Sequence, residues 1–229
     1  MKPILFSTPM VKAILDGTKI MTRRVVKPQP DNDDPSIHYV DREGYLTVPG
    51  NESEIWYQME NGDNSKSKIN RDDILWVRET WCKLWKLDDN EQIIEGTEKY
   101  YYRADGENPT PFNHFHNGEK YELERDCPKW KPSIFMPKEA ARIFLKVKYV
   151  RLEKLSQITE TDAKKEGITD GGCLNCGNSS YPNPCGCNNP EPDYVDTFYW
   201  LWNSLNEKRG YGTIVDPWVW VYEFERIKK

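Results

Sequence analysis

Residues 8–30 constrain the fold more than any other stretch of this 229-residue chain. Thr8 suits a helix N-cap, and Pro9 suits the first helical position, where its missing N–H costs nothing. Met10, Val11, Ile14 and Leu15 fall on one apolar face. Gly17 stands where a left-handed C-terminal cap is expected. The spacing predicts a helix over Pro9–Asp16 and then a strand from Ile20 to Lys27, stopped by Pro28-Gln29-Pro30. Just beyond the helix, Lys19, Thr22, Arg23 and Arg24 put an amine, a hydroxyl and two guanidinium groups at one corner. That corner reads as the floor of a polar pocket.

The rest of the chain is punctuated in the same way. Short strands are expected at Tyr39-Val40, Tyr45–Val48, Ile55–Met59, Ile74–Arg78 and Lys99–Arg103, with Gly44 and Pro49-Gly50 marking turns. Residues 60–70 are polar and expected at the surface. Pro132–Pro137 is read as extended, and Pro137–Ala141 as a short helical turn. Alternation over Ile143–Leu152 places Ile143, Leu145, Val147, Tyr149 and Arg151 on one face. A second helix is expected within Ser156–Ile168, with Thr159 as N-cap, Asp162 in the capping-box position and Gly167 as terminator. A third spans Tyr194–Leu205 on a broad apolar face. A long final strand, Pro217–Ile227, has Trp218, Trp220, Tyr222 and Phe224 facing one way. Many short strands with few helices predict an α+β fold: a mostly antiparallel sheet or barrel decorated by about three short helices. The expected organisation is a single domain over 1–229, with insertions at about 29–70 and 104–128 and a cysteine-rich loop at 171–190.

Mean hydropathy is −0.84 and 30% of residues are charged, and no apolar run reaches the length of a membrane span. A cytoplasmic location is the default expectation. The net charge of −5 argues against a protein that coats nucleic acid non-specifically. The charge is unevenly placed, however. Residues 1–30 and 129–154 are both basic, the second carrying eight Lys and Arg against Glu139 and Glu153. Two such segments suit either one positive face for an anionic ligand or ordinary solvated strand edges.

Gly17-x-Lys19-x-x-Thr22-x-Arg24 resembles the signature of the ASCH family, a branch of the PUA-like β-barrels. Further stretches resemble the larger phage- and prophage-type members: Ile74–Trp81, Tyr102–Asp105, Pro132–Pro137, Ile158–Ile168 and Pro217–Val221. The resemblance runs from residue 2 to 227, in family order. It implies a small barrel with a cleft between the first helix and the sheet. Some small ASCH proteins are amidohydrolases that remove the acyl group from the exocyclic amine of acetylated cytidine. Others are RNA-binding or RNA-cleaving. The catalytic residues implied here are Lys19, Thr22 and, on the second helix, Glu166. This chain is longer than the small hydrolases and carries an added cysteine loop.

Amide hydrolysis needs a nucleophile, a base and oxyanion stabilisation. Thr22 is the candidate nucleophile. Lys19 acts as base only when neutral, which near pH 7 asks for a shift of roughly three units from about 10.4, or about 4 kcal/mol. Burial and the neighbouring Arg23 and Arg24 push that way, and Glu166 pushes back. Either Glu166 is the base and Lys19 the oxyanion partner, or Lys19 is the base and Glu166 positions it. The same residues would equally make a plain salt bridge beside a strand threonine. Residues 19 and 22 point to opposite faces of an ideal strand, so convergence requires a bend near Thr18–Met21.

Arg23, Arg24 and Trp81 are candidate ligand contacts, the arginines through planar forks and the indole through base stacking. The expected partner is a nucleoside, nucleotide or RNA, with no membrane. Cys173-x-x-Cys176 and Cys185-x-Cys187 lie in a Gly/Asn/Pro-rich loop. Four thiolates fit a closed, tetrahedral, structural zinc site with no catalytic position. His114 and His116 offer further ligands, though exposed loop positions are the expected reading for both.

Overall fold

The computed structural model describes residues 1–30, 37–40, 54–58, 64–85, 88, 90, 92, 94–106, 115–116, 119–120, 130–169 and 193–228. Its strands are β1 (Lys2–Leu5), β2 (Met21–Val25), β3 (Ile37–Val40), β4 (Glu54–Gln58), β5 (Asn64–Lys66), β6 (Ile74–Arg78), β7 (Trp81–Leu84), β8 (Lys99–Tyr102), β9 (Phe115–His116), β10 (Glu119–Lys120), β11 (Phe144–Lys154) and β12 (Trp218–Ile227). The α-helices are α1 (Thr8–Leu15), α2 (Glu160–Lys165) and α3 (Tyr194–Asn206). The fold is α+β, built on a mixed five-stranded sheet in the order β1-β6-β11-β12-β2. Smaller sheets are β3-β4-β5, β7-β8 and β9-β10, and the described residues contain no closed barrel. No helix among them is long and apolar enough to cross a membrane.

The chain divides into two compact units, one of Met1–Lys2, Ala13–Leu75 and Leu145–Lys229, the other of Pro3–Lys12 and Trp76–Phe144. In the first, Met21 of β2 and Val219 and Val221 of β12 are buried with Leu155, Ile158, Ala163, Ile168, Phe198 and Trp202. Each large apolar side chain so buried contributes about 1.5–3 kcal/mol. Strand β12 is buried on both faces from Trp218 to Tyr222, because it lies between β11 and β2 and is covered on each side. Its Trp220 meets Tyr57 of β4 with ring centroids 6.3 Å apart. Ser67 is 3% exposed, so the polar stretch expected at the surface supplies both β5 and a buried hydroxyl.

Local signals place the helix ends. Gly17 adopts φ 79° and closes α1, while Ser7, one residue before the expected cap, accepts the first helical bond from Val11. Thr159 Oγ1 accepts from the Asp162 N–H at 3.1 Å and starts α2. Asp193 does the same for α3 through the Asp196 N–H at 2.9 Å. In β11 the buried positions step from Leu145 and Val147 to Val150 and Leu152, so the expected single face breaks at Lys148–Tyr149. The two halves of this long strand are covered on opposite faces, which leaves Tyr149 half-exposed. Ser133–Phe135 forms a 3-10 turn where the two flanking prolines suggest an extended segment.

In the second unit β7 pairs antiparallel with β8, setting Trp81 opposite Tyr102 and Lys83 opposite Tyr100. Trp81 packs with Met136 and Ala140 into a small core of its own.

Candidate functional site

The corner after α1 is held by backbone bonds. The Lys19 N–H donates to Ala13 O at 3.0 Å, the Ile20 N–H to Lys165 O at 2.9 Å, and the Phe224 N–H to Ile20 O at 2.8 Å. Lys19 is thereby fixed between the end of α1 and the end of α2. Gly167 permits the approach. It has φ 90°, and a Cβ built there would lie 3.1 Å from both Ala13 Cβ and Lys19 Cβ. Gly167→Ala is expected to destabilise the fold by about 1–2 kcal/mol from the left-handed backbone alone. Denaturant unfolding checks this, and a Gly167→Ala protein as stable as the parent would contradict it.

Lys19 Nζ donates to Glu166 Oε2 at 2.7 Å and to Glu166 O at 2.7 Å. Lys19 is 1% exposed and Glu166 7%. Burial pushes the Lys19 pKa down, Glu166 opposes that through charge and hydrogen bonding, and Arg24 and Arg23 add to the fall. Arg23 completes an alternating cluster. Its NH1 donates to Glu166 Oε1 at 3.3 Å, and its NH2 to Glu153 Oε1 and Asp162 Oδ2, each at 2.7 Å. Arg151 binds the same two carboxylates from the other side, at 2.7 Å to Glu153 and 2.8 Å to Asp162. Cations Lys19, Arg23 and Arg151 thus interleave with Glu153, Asp162 and Glu166. Arg23 Cζ also lies 5.7 Å from the centroid of the Phe198 ring.

Thr22 is 1% exposed and stands directly opposite Tyr222 in the β2–β12 ladder. Strand alternation sends its side chain to the face opposite Arg23. Among the described residues none hydrogen-bonds its hydroxyl. Ser67 Oγ donates to Ile69 O at 2.5 Å, so the bond of 3.0 Å between Ser67 and Tyr222 uses the tyrosine proton. Burial pushes the Tyr222 pKa up to about 12. Arg24 NH1 donates to Arg23 O at 3.3 Å, and burial lowers the Arg24 pKa, with Glu166 and Tyr222 opposing.

The structure therefore brings Lys19, Arg23 and Glu166 into direct contact. It places Thr22 on the neighbouring position of the same strand, on the other face. Trp81 belongs to the second unit, 5% exposed, with its Nε1 lacking a hydrogen-bond partner among the described residues. A cleft of about 460 Å³ in the first unit touches Lys19 and is walled by Ile14, Ile20, Leu145, Tyr149 and Phe224. Cys173, Cys176, Cys185, Cys187 and His114 lie outside the described residues, and those residues contain no group of three or more His, Cys, Asp or Glu placed to hold a metal. Sequence reasoning misses Glu153 and Arg151, and reads Asp162 only as a capping residue. The acids and bases alternating along Arg151–Lys154 are the one local signal of such a cluster.

No protein-family model, no curated protein and no solved structure matches this chain.

Proposed function

We propose that this chain is an ASCH-type, PUA-like protein with a nucleoside-related pocket, acting as an amidohydrolase on the acylated exocyclic amine of cytidine or a related base. The observation that carries the reading is the Lys19–Glu166 contact at 2.7 Å, between a buried amine of lowered pKa and a carboxylate. The motifs from Gly17 to Val221 support the family reading. In the proposed mechanism Glu166 holds Lys19 Nζ through its carboxylate and its carbonyl. Lys19, once it has lost its own proton, takes the proton from the Thr22 hydroxyl as its oxygen attacks the acyl carbon, a step that requires Thr22 to reach from the other face of β2 to the Lys19–Glu166 pair. The proton passes to the departing amine, and water releases the acyl group from Thr22. Arg24 shares the Thr22 face of β2 and suits a ligand carbonyl or phosphate.

The test is incubation of the full chain with acetylated cytidine, with chromatography for free cytidine. Product formation supports the enzyme. The burial of Lys19 and Thr22, 1% exposed each, favours a second reading, a binding module that holds RNA or a modified nucleotide without turnover. Salt-dependent RNA affinity without product selects that reading.

The donor chemistry of Cys173, Cys176, Cys185 and Cys187 fits a closed structural zinc site. Metal analysis of the purified chain is expected to give about one zinc per molecule. Cys176→Ser is expected to lose it. A metal-free parent protein prepared without chelator rules the site out.

A further inference from the structure

We propose that one face of the β7–β8 hairpin in the second unit binds an unpaired nucleic-acid strand, bases against its aromatic rings and phosphates against its lysines. The register sets the pattern. Trp81 and Tyr102 are cross-strand partners, as are Lys83 and Tyr100, so all four side chains share a face. Lys131 extends the row on the other side of β7. Its N–H donates to Trp81 O at 2.8 Å, and the Trp81 N–H returns to Lys131 O at 3.2 Å.

Cations and rings alternate across this face. Lys131 Nζ lies 5.0 Å from the Trp81 ring, and Lys83 Nζ lies 5.5 Å from Tyr100 and 5.3 Å from Trp85. Trp81 and Tyr100 are tilted neighbours at 5.7 Å. Trp81 is in the small core with Met136 and Ala140, Tyr102 and Tyr100 pack against it, and Arg142 Cζ covers the Tyr102 ring at 3.9 Å, so Tyr100 and Trp85 are the rings that a ligand meets. At the other end Tyr100 and Lys83 are partly exposed and Trp85 is 38% exposed. From Lys83 to Trp85 the chain spans roughly 7 Å, enough for two bases, one on Tyr100 and one on Trp85.

Magnitudes favour this occupant. An exposed cation–π contact is worth about 0.5–1 kcal/mol, and stacking of a base on an aromatic ring about 1–3 kcal/mol. A base can therefore displace a lysine from its ring, and the lysine then meets a phosphate of the same strand. Lys83 also meets Glu98 at 3.5 Å, a loose and half-exposed pair that a phosphate can replace. An acidic peptide would use the lysines and leave the rings idle, and a duplex would hide its base faces.

Fluorescence anisotropy with a labelled single-stranded oligouridine and the full chain tests the proposal. Two phosphate contacts are expected to make log affinity fall with log salt at a slope of about −1.4. Tyr100→Ala is expected to weaken binding about 5- to 100-fold and leave that slope unchanged, whereas Tyr100→Phe retains binding. Lys83→Glu with Lys131→Glu is expected to weaken it at least about 10-fold and flatten the slope. Lys19→Met leaves binding unchanged, which separates this surface from the proposed hydrolase. Absence of binding, equal binding of duplex, displacement by polyglutamate at equal charge, or indifference to both substitutions at the hairpin overturns the proposal. Thermal unfolding of each variant confirms the fold, and Tyr100→Phe and the lysine variant carry the test if Tyr100→Ala unfolds.

Discussion

Arg23→Ala is expected to cost about 3–5 kcal/mol of folding stability, the range for removing one partner from a buried ion cluster. The Arg23 side chain is fully buried, and its three carboxylate partners are 12%, 14% and 5% exposed. Truncation leaves Glu166 with Lys19, while Glu153 and Asp162 both depend on Arg151. Arg23→Lys should recover only part of the loss, because one ammonium cannot fork across carboxylates on separate elements. Urea unfolding at neutral pH measures the cost. A loss below about 1 kcal/mol would place Arg23 in the class of solvated surface pairs and remove its structural role.

On the proposed mechanism, Lys19→Met is expected to lower hydrolysis of acetylated cytidine by about 10²–10⁴-fold, the usual contribution of a positioned base. Turnover undiminished in the variant would sink the mechanism while leaving the activity. The substitution also has a stability signature. Burial depresses the folded-state pKa of Lys19 below its unfolded value of about 10.4. Between the two values the unfolded chain holds the proton and the folded chain does not. Stability therefore rises with pH across that window and the gain is complete above the unfolded value. Lys19→Met removes this rise. Unfolding midpoints for both proteins from pH 7 to 10.5 show it, and parallel curves would mean that Lys19 stays charged throughout.

The parts of this fold legible in the sequence are those fixed by local chemistry. Gly17 and Gly167 end their helices because only glycine takes a left-handed backbone cheaply, and Thr159 caps α2 by a bond spanning three residues. The strands at Ile74–Arg78 and Trp218–Ile227 follow from apolar runs bounded by turns. The Lys19–Glu166 contact crosses 147 positions, and residue spacing alone does not predict it. The family resemblance supplied that pairing. Nothing supplied the bonds from Arg23 to Glu153 and Asp162, 130 and 139 positions away. An arginine next to a suspected pocket reads as a ligand contact, and its guanidinium here is occupied by three carboxylates. The cross-strand pairing of Lys83 with Tyr100 is hidden for the same reason, since register depends on which strands meet.

Strand β2 closes the sheet order, and such a border is a ready template for a strand of another chain. Here the turn after α2 anchors its entry. Lys165 O takes the Ile20 N–H at the approach to β2, and Arg23, further along, is pinned by charges from α2 and β11. The residues proposed as a reaction centre thus also tie this edge strand to α2 and β11. Substitutions that open this cluster are expected to loosen the edge strand, so sedimentation of such variants belongs beside any test of the proposed activity.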